Sequence, residues 1–287
     1  MRRRHGQRGF TLVELVTTLT ISVIVVGFVA LFVSGPVRGF DDQVRRAHLV
    51  DAASSALSRL ERDVHRALPN SVRVTGAAGI VALELLGTVD GARYRAEPPG
   101  GPDTRLRFSA PDDAFDALGA FTQVAKPFSG TSYYLSIYNV GVPGADAYEL
   151  ANVITPPGTQ IEIQAGGAAG VDRVTLSPAF RFAYASPTQR VFLIDGPVTW
   201  LCDPGAGTLT RYDGYAIAAS QGARDSRAEL LAAGASAALV ADRVASCAFD
   251  YAPGTAERAG LLSVQLGIAE AGETVALLTQ VHVENVP

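Results

Sequence analysis

From Phe10 to Val33 the chain reads FTLVELVTTLTISVIVVGFVALFV, a run of 24 positions in which Glu14 alone is charged. A run of that length can cross a hydrocarbon core; as a helix it spans roughly 36 Å at 1.5 Å per residue. From Asp41 to Leu68 the pattern becomes mixed. Val50, Ala53, Leu57, Leu60, Val64 and Ala67 recur every three or four positions, which places them on one helical face. Arg45, Arg46, Asp51, Arg59, Glu61, Arg62 and Asp63 mostly fall elsewhere. This predicts an amphipathic helix with one stripe to bury, stopped by Pro69. Between the two stretches, Gly35-Pro36 predicts either a kink or local break, or a helix boundary near the membrane surface.

After Pro69 the period shortens. Ser71–Thr75, Ile80–Leu86, Arg105–Phe108, Tyr133–Val140, Val171–Leu176, Arg190–Ile194 and Val198–Leu201 read as strands between Gly- and Pro-rich connections. Leu262, Val264, Leu266 and Ile268 alternate with polar or small residues. After a turn at Ala269–Gly272, Val275, Leu277, Val281 and Val283 continue the alternation. That is a hairpin with one buried face. Arg227–Val244 is expected to hold a short helix or an ordered loop. Glu97–Asp103, Asn139–Gly144, Pro156–Gly170 and Ala216–Arg224 are expected to be surface loops. The fold class is therefore α+β: a long N-terminal helix, half membrane-spanning and half amphipathic, packed on a mainly antiparallel β-rich C-terminal domain. The expected divisions are a basic leader at 1–9, the transmembrane half of the helix at 10–35, its amphipathic half at 36–68, and a β-rich globular domain at 69–287.

Charge then fixes direction. Arg2, Arg3, Arg4 and Arg8 precede the apolar run with no acid among them. Basic flanks stay cytoplasmic, so a single crossing would leave the N-terminus inside and the C-terminal bulk across the membrane. An ordinary secretory signal and a plain signal anchor are alternative readings. The first expects a small-x-small cleavage site, which Ser34-Gly35 matches poorly. The second gives no reason for Glu14, since a carboxylate in a membrane segment costs about 2.5–3.5 kcal/mol on insertion scales. No Lys or Arg lies between Arg8 and Arg38 to pair with it. A cut between Gly9 and Phe10 would create a cationic partner: the new α-amino group, placed at membrane depth beside Glu14 of a neighbouring subunit.

The segment Gly9-Phe10-Thr11-Leu12-Val13-Glu14-Leu15 resembles the cleavage and methylation signal of type IV prepilins and of type II secretion pseudopilins. The resemblance implies cleavage after Gly9, N-methylation of Phe10 by a prepilin peptidase, and a role for Glu14 in docking the subunit into a filament. It implies as partners other pilin subunits and minor pilins, the prepilin peptidase, an inner-membrane assembly platform and membrane lipid. It also implies a single-pass inner-membrane location, with the C-terminal domain periplasmic, and a place in the pilus after assembly. Further segments resemble one minor-pilin family, the MshO-like biogenesis proteins of the mannose-sensitive haemagglutinin (MSHA) pilus. They are Asp42-Gln43-Val44-Arg45-Arg46, Leu49-Val50-Asp51-Ala52-Ala53, Arg66-Ala67-Leu68-Pro69-Asn70-Ser71-Val72-Arg73, Trp200-Leu201-Cys202-Asp203, Cys247-Ala248-Phe249-Asp250-Tyr251 and Gln280–Pro287. That family implies a subunit that initiates or caps a pilus. The alternatives are a minor pseudopilin and a tip adhesin.

In an oxidising periplasm Cys202 and Cys247 are expected to pair, although two buried thiols would satisfy the same spacing. A formal charge of −4 without a basic face argues against nucleic acid as a partner. No P-loop, G-x-S-x-G elbow or HExxH is present, so neither an assembly ATPase nor a hydrolase is indicated, and no cofactor is expected. Asp112, Asp113 and Asp116 lack EF-hand spacing and are expected to form a solvated acidic loop. His48 and His65 are expected at the helix surface. Tyr133, Tyr134 and Tyr138 are expected to pack in a strand and not to form a carbohydrate platform.

Overall fold

The computed structural model describes residues 9–77, 79–97, 104–254 and 258–286. The leader arginines and residues 98–103 of the expected loop Glu97–Asp103 lie outside them. Helix α1 runs from Leu12 to His65, 54 residues without interruption. The break or boundary expected at Gly35-Pro36 is therefore corrected, because the backbone stays helical through it. A proline loses one helical hydrogen bond and crowds the carbonyl four residues back, yet the helix continues on both sides of Pro36. The chain divides into two compact units, Met1–Leu49 and Val50–Pro287.

In the first unit, Leu12–Ala30 has a mean hydropathy of 2.3 and none of it is buried. Its polar side chains are satisfied within the helix. Thr17 Oγ1 donates to the Val13 carbonyl at 3.0 Å, Thr18 to Glu14 at 2.8 Å, Thr20 to Val16 at 2.8 Å, and Ser22 to Thr18 at 2.7 Å. Back-bonding of this kind lets hydroxyls enter an apolar phase without stranded donors.

In the second unit, Ala53, Ala56, Leu57, Leu60 and Val64 of α1 are buried. The expected stripe is thus present, but Val50 at its margin is 37% exposed and Ala67 only half-buried. The helix ends four residues before Pro69. Its last turn tightens through Arg66 N to Asp63 O and Ala67 N to Val64 O, and the chain then joins a sheet through Leu68 N to Leu86 O and Thr88 N to Arg66 O.

Thirteen strands follow among the described residues. They are β1 (Arg73–Ala77), β2 (Ile80–Tyr94), β3 (Asp112–Leu118), β4 (Phe128–Gly130), β5 (Tyr134–Ser136), β6 (Gln160–Ala165), β7 (Val171–Phe180), β8 (Arg190–Asp203), β9 (Thr208–Asp213), β10 (Ser236–Ala241), β11 (Val244–Ala252), β12 (Gly260–Glu270) and β13 (Glu273–Val283). A short helix α2 (Arg227–Ala232) precedes β10, capped by the Ser226 side chain. One sheet has the order β10-β9-β8-β2-β3-β7-β6-β4, with β1 on β2 and β5 on β8; a second has the order β11-β12-β13. Every pairing is antiparallel.

The hairpin forms as expected, with Leu262, Val264, Leu266 and Ile268 buried. Its turn is shorter than expected. Only Ala271 and Gly272 lie between β12 and β13, both at positive φ, which suits the twist of a two-residue hairpin. The two runs expected at Arg190–Ile194 and Val198–Leu201 fuse into β8. Gly196-Pro197 does not separate them, because the register shifts there: Gly87 pairs with Gly196, and the next pair is Thr88 with Ile194. Such a bulge accommodates a proline inside a strand. A Cβ on Gly87 would meet Asp195 Oδ1 at 2.5 Å, so a larger residue there would displace the Asp195 side chain.

Other expectations are corrected. Arg105–Phe108 is not a strand, Tyr133–Val140 shrinks to β5, and the expected loop Pro156–Gly170 contains β6 with Ile161 and Ile163 fully buried. The acidic cluster is not a solvated loop. It lies on β3, where Asp112 is 2% exposed and accepts from Arg107 N and Nη2, while Asp116 pairs with Arg95 and Arg173. Tyr134 is buried, and Tyr133 and Tyr138 pack edge-on against Phe128 and Tyr184.

Asp63 ties α1 to the first sheet. Its carboxylate accepts from Trp200 Nε1 at 3.1 Å and from Arg211 Nε at 2.6 Å. Asp63→Ala should cost about 1–3 kcal/mol, because the indole N–H is fully buried with Trp200 and would be left unpaired. Trp200 is the sole tryptophan of the chain, so urea unfolding followed by its fluorescence reads the effect directly.

Candidate functional site

Gly9 and Phe10 stand just ahead of α1, and Phe10 is 69% exposed. The helix begins where Thr11 caps it. Thr11 Oγ1 accepts from Glu14 N at 3.3 Å, and the Thr11 carbonyl accepts from Leu15 N at 3.1 Å. Thr11-Leu12-Val13-Glu14 thus has the spacing of a capping box. The sequence reading missed Thr11, although the T-x-x-E signal was available to find it. Glu14 falls in the first helical turn, where a negative charge opposes the positive end of the helix dipole. Its carboxylate is exposed and makes no ion pair among the described residues. The first turn therefore presents an acid, unpaired among the described residues, beside an exposed glycine-phenylalanine junction at the head of an exposed apolar helix.

Cys202 and Cys247 form a disulfide, with sequence separation 45, joining β8 of the first sheet to β11 of the second. Cys202 is fully buried and Cys247 half-buried, and the alternative of two free thiols is set aside.

The β-rich unit also holds a buried polar cluster that sequence reasoning did not find. Glu84 is fully buried; its Oε2 accepts from Arg73 Nε at 2.7 Å, and its Oε1 from the Tyr215 hydroxyl at 2.9 Å. Tyr215 in turn contacts Thr199 Oγ1 at 2.5 Å. Arg73 stacks over the Tyr148 ring at 3.5 Å and donates to the Ala218 and Ala219 carbonyls. Burial pushes the Glu84 carboxyl above its ordinary range, with Arg73 pulling it back in part. Burial likewise pushes the Tyr148 and Tyr215 hydroxyls up. Every oxygen of this carboxylate is occupied by a fixed partner, so the cluster's role is to clamp the segment around residues 215–221 onto β1 and β2. Among the described residues no group of three His, Cys, Asp or Glu side chains is arranged to hold a metal ion.

The profile of the prokaryotic N-terminal methylation motif matches residues 4–30. No curated protein and no solved structure gives a match. Residues 4–30 embrace the Gly9-Phe10 junction, the Thr11 cap, Glu14 and most of the apolar span, all described above from their own chemistry. The chain carries the prokaryotic N-terminal methylation motif at residues 4–30, on a long helix that continues into an antiparallel β-rich domain.

Proposed function

We propose that this chain is a minor pilin of an MSHA-type type IV pilus, similar to the MshO-like biogenesis proteins, which is cleaved after Gly9, N-methylated on Phe10 and built into a filament at its start or cap. The observation that carries the reading is Gly9-Phe10 with an unpaired Glu14 one turn into an exposed apolar helix, within the span matched by the methylation motif. Before assembly the apolar helix crosses the inner membrane once, N-terminus inside. A prepilin peptidase removes the leader, and an inner-membrane platform passes the subunit to the filament. Loss of Arg2, Arg3, Arg4 and Arg8 takes the formal charge from −4 to −8, so the exported subunit is acidic. The role is structural; it involves no reaction on a substrate, no cofactor and no nucleic acid.

Deleting the gene in its native host tests this role. Loss of surface pili with intact type II secretion is the expected phenotype. Loss of secretion with intact pili would move the chain to the pseudopilins. Intact pili with lost glycan adhesion would make it an adhesin.

A further inference from the structure

The ten-stranded sheet ends at β10, whose sequence is SAALVA. It pairs with β9 on one side, and among the described residues no strand pairs with the other. Free edges invite further strands, and proteins usually blunt them with lysine, proline or an inward charge. Strand β10 has none of these. Ser236, Ala237, Ala238 and Leu239 are all exposed, so neither face of the strand is covered there, and Leu239 is 60% exposed. The one irregularity is a register shift between Leu239 and Ala241, which leaves Ser236–Leu239 in regular register with β9.

The flank of this edge is basic. Ala238 and Val240 line one groove with Trp200, Arg211, Arg59, Arg62 and Asp63. Asp63 is committed to Trp200 and Arg211, and Arg211 also pairs with Asp213. Arg59 and Arg62 are exposed and enter no ion pair among the described residues. Two cations without an ion pair among the described residues thus flank an uncharged, open strand edge.

We propose that β10 and the Arg59–Arg62 face of α1 together form a docking site for an extended, acid-bearing segment of a partner protein, which adds to the sheet as a further antiparallel or parallel strand. The backbone of β10 supplies the ladder. Side chains of an added strand alternate between faces. Those on the Ala238 and Val240 face point toward Arg59 and Arg62, which are one helical turn apart, about 5 Å along the axis. Those on the other face meet Leu239. The recognised pattern is therefore acid–apolar–acid. The inference stands apart from the N-terminal reading, since it uses only residues of the Val50–Pro287 unit.

The test uses the detergent-solubilised full chain and fluorescein-labelled hexapeptides. Thr-Glu-Val-Glu-Val-Thr should bind saturably and more weakly as salt rises, and Thr-Lys-Val-Lys-Val-Thr should not bind. The double variant Arg59→Glu/Arg62→Glu should weaken the acidic peptide at least tenfold while the thermal midpoint stays unchanged, both positions being exposed. A backbone N-methylated acidic peptide should also lose binding, because it keeps the charges but cannot form the ladder. Equal binding of the two charge types, no saturable binding, indifference to the double variant, or full binding of the N-methylated peptide would each overturn the proposal. So would self-association of the chain, broken by the double variant without any peptide binding, which would give the face to a second copy.

Discussion

Glu14→Ala is expected to insert into the membrane at least as well as the parent chain and to enter no filament. The two halves of that result have separate causes. Insertion should improve because a carboxylate in the span costs about 2.5–3.5 kcal/mol. The helix start should survive, because Thr11 supplies the cap through its own hydroxyl and loss of the Glu14 charge forfeits only about 0.3–1 kcal/mol of helix-dipole interaction. What disappears is the single unpaired charge of the span. Within the monomer that carboxylate has no cationic partner among the described residues, and the apolar helix around it is fully uncovered. Such an arrangement is costly for one subunit alone. On the proposed reading, the α-amino group of a processed neighbour, newly exposed at Phe10, would pair with it and relieve the cost of an uncompensated charge. Membrane fractionation and the sheared-filament fraction read the two halves independently. Wild-type amounts of the variant in filaments would refute the pairing, and failure to insert would refute the assigned cause.

The second large effect is on the Cys202–Cys247 bridge. It closes a loop of 45 residues, worth about 4 kcal/mol in the chain-entropy model. The loop holds β9, α2 and β10, and its ends lie in different sheets that share no backbone ladder among the described residues. Polar ties near the bridge are Val244 N donating to Gly207 O, and Asn285 bridging Asn70 and Tyr251. Reduction, or Cys202→Ser, should therefore lower the thermal midpoint of the Val50–Pro287 unit by roughly 10 °C. In the full chain, insertion and leader removal should proceed as before, with the loss appearing later as degraded subunit. Two reactive thiols in the folded protein, or an unchanged midpoint on reduction, would contradict this account.

The features legible in the sequence were those that local pattern determines. Twenty-four consecutive positions with one charge announced the exposed apolar part of α1. The three-and-four spacing of Ala53, Leu57, Leu60 and Val64 announced the buried stripe, and the strict alternation of Leu262 to Ile268 announced the hairpin. Elements that depend on distant partners were not legible. Strand β3 reads as an acidic stretch, because nothing local shows that Arg107, Arg95 and Arg173 will neutralise Asp112 and Asp116. Strand β6 has only Ile161 and Ile163 as apolar anchors, set between Gly/Pro-rich flanks, and its burial comes from pairing with β7. Helix continuity through Pro36 was hidden for the opposite reason: a local breaking signal was overridden by the long helical context. At the N-terminal site the junction and the acid were visible as a motif, whereas the capping role of Thr11 became evident from its hydrogen bond.

The central claim is that the N-terminus is processed as a prepilin, and intact-mass and peptide mass spectrometry of the protein purified from its native membrane tests it most directly. The expected mature chain begins at Phe10 and carries one methyl group on its α-amine, with Met1 to Gly9 absent. A mature protein that retains Met1, or that begins beyond Val33, would contradict the claim.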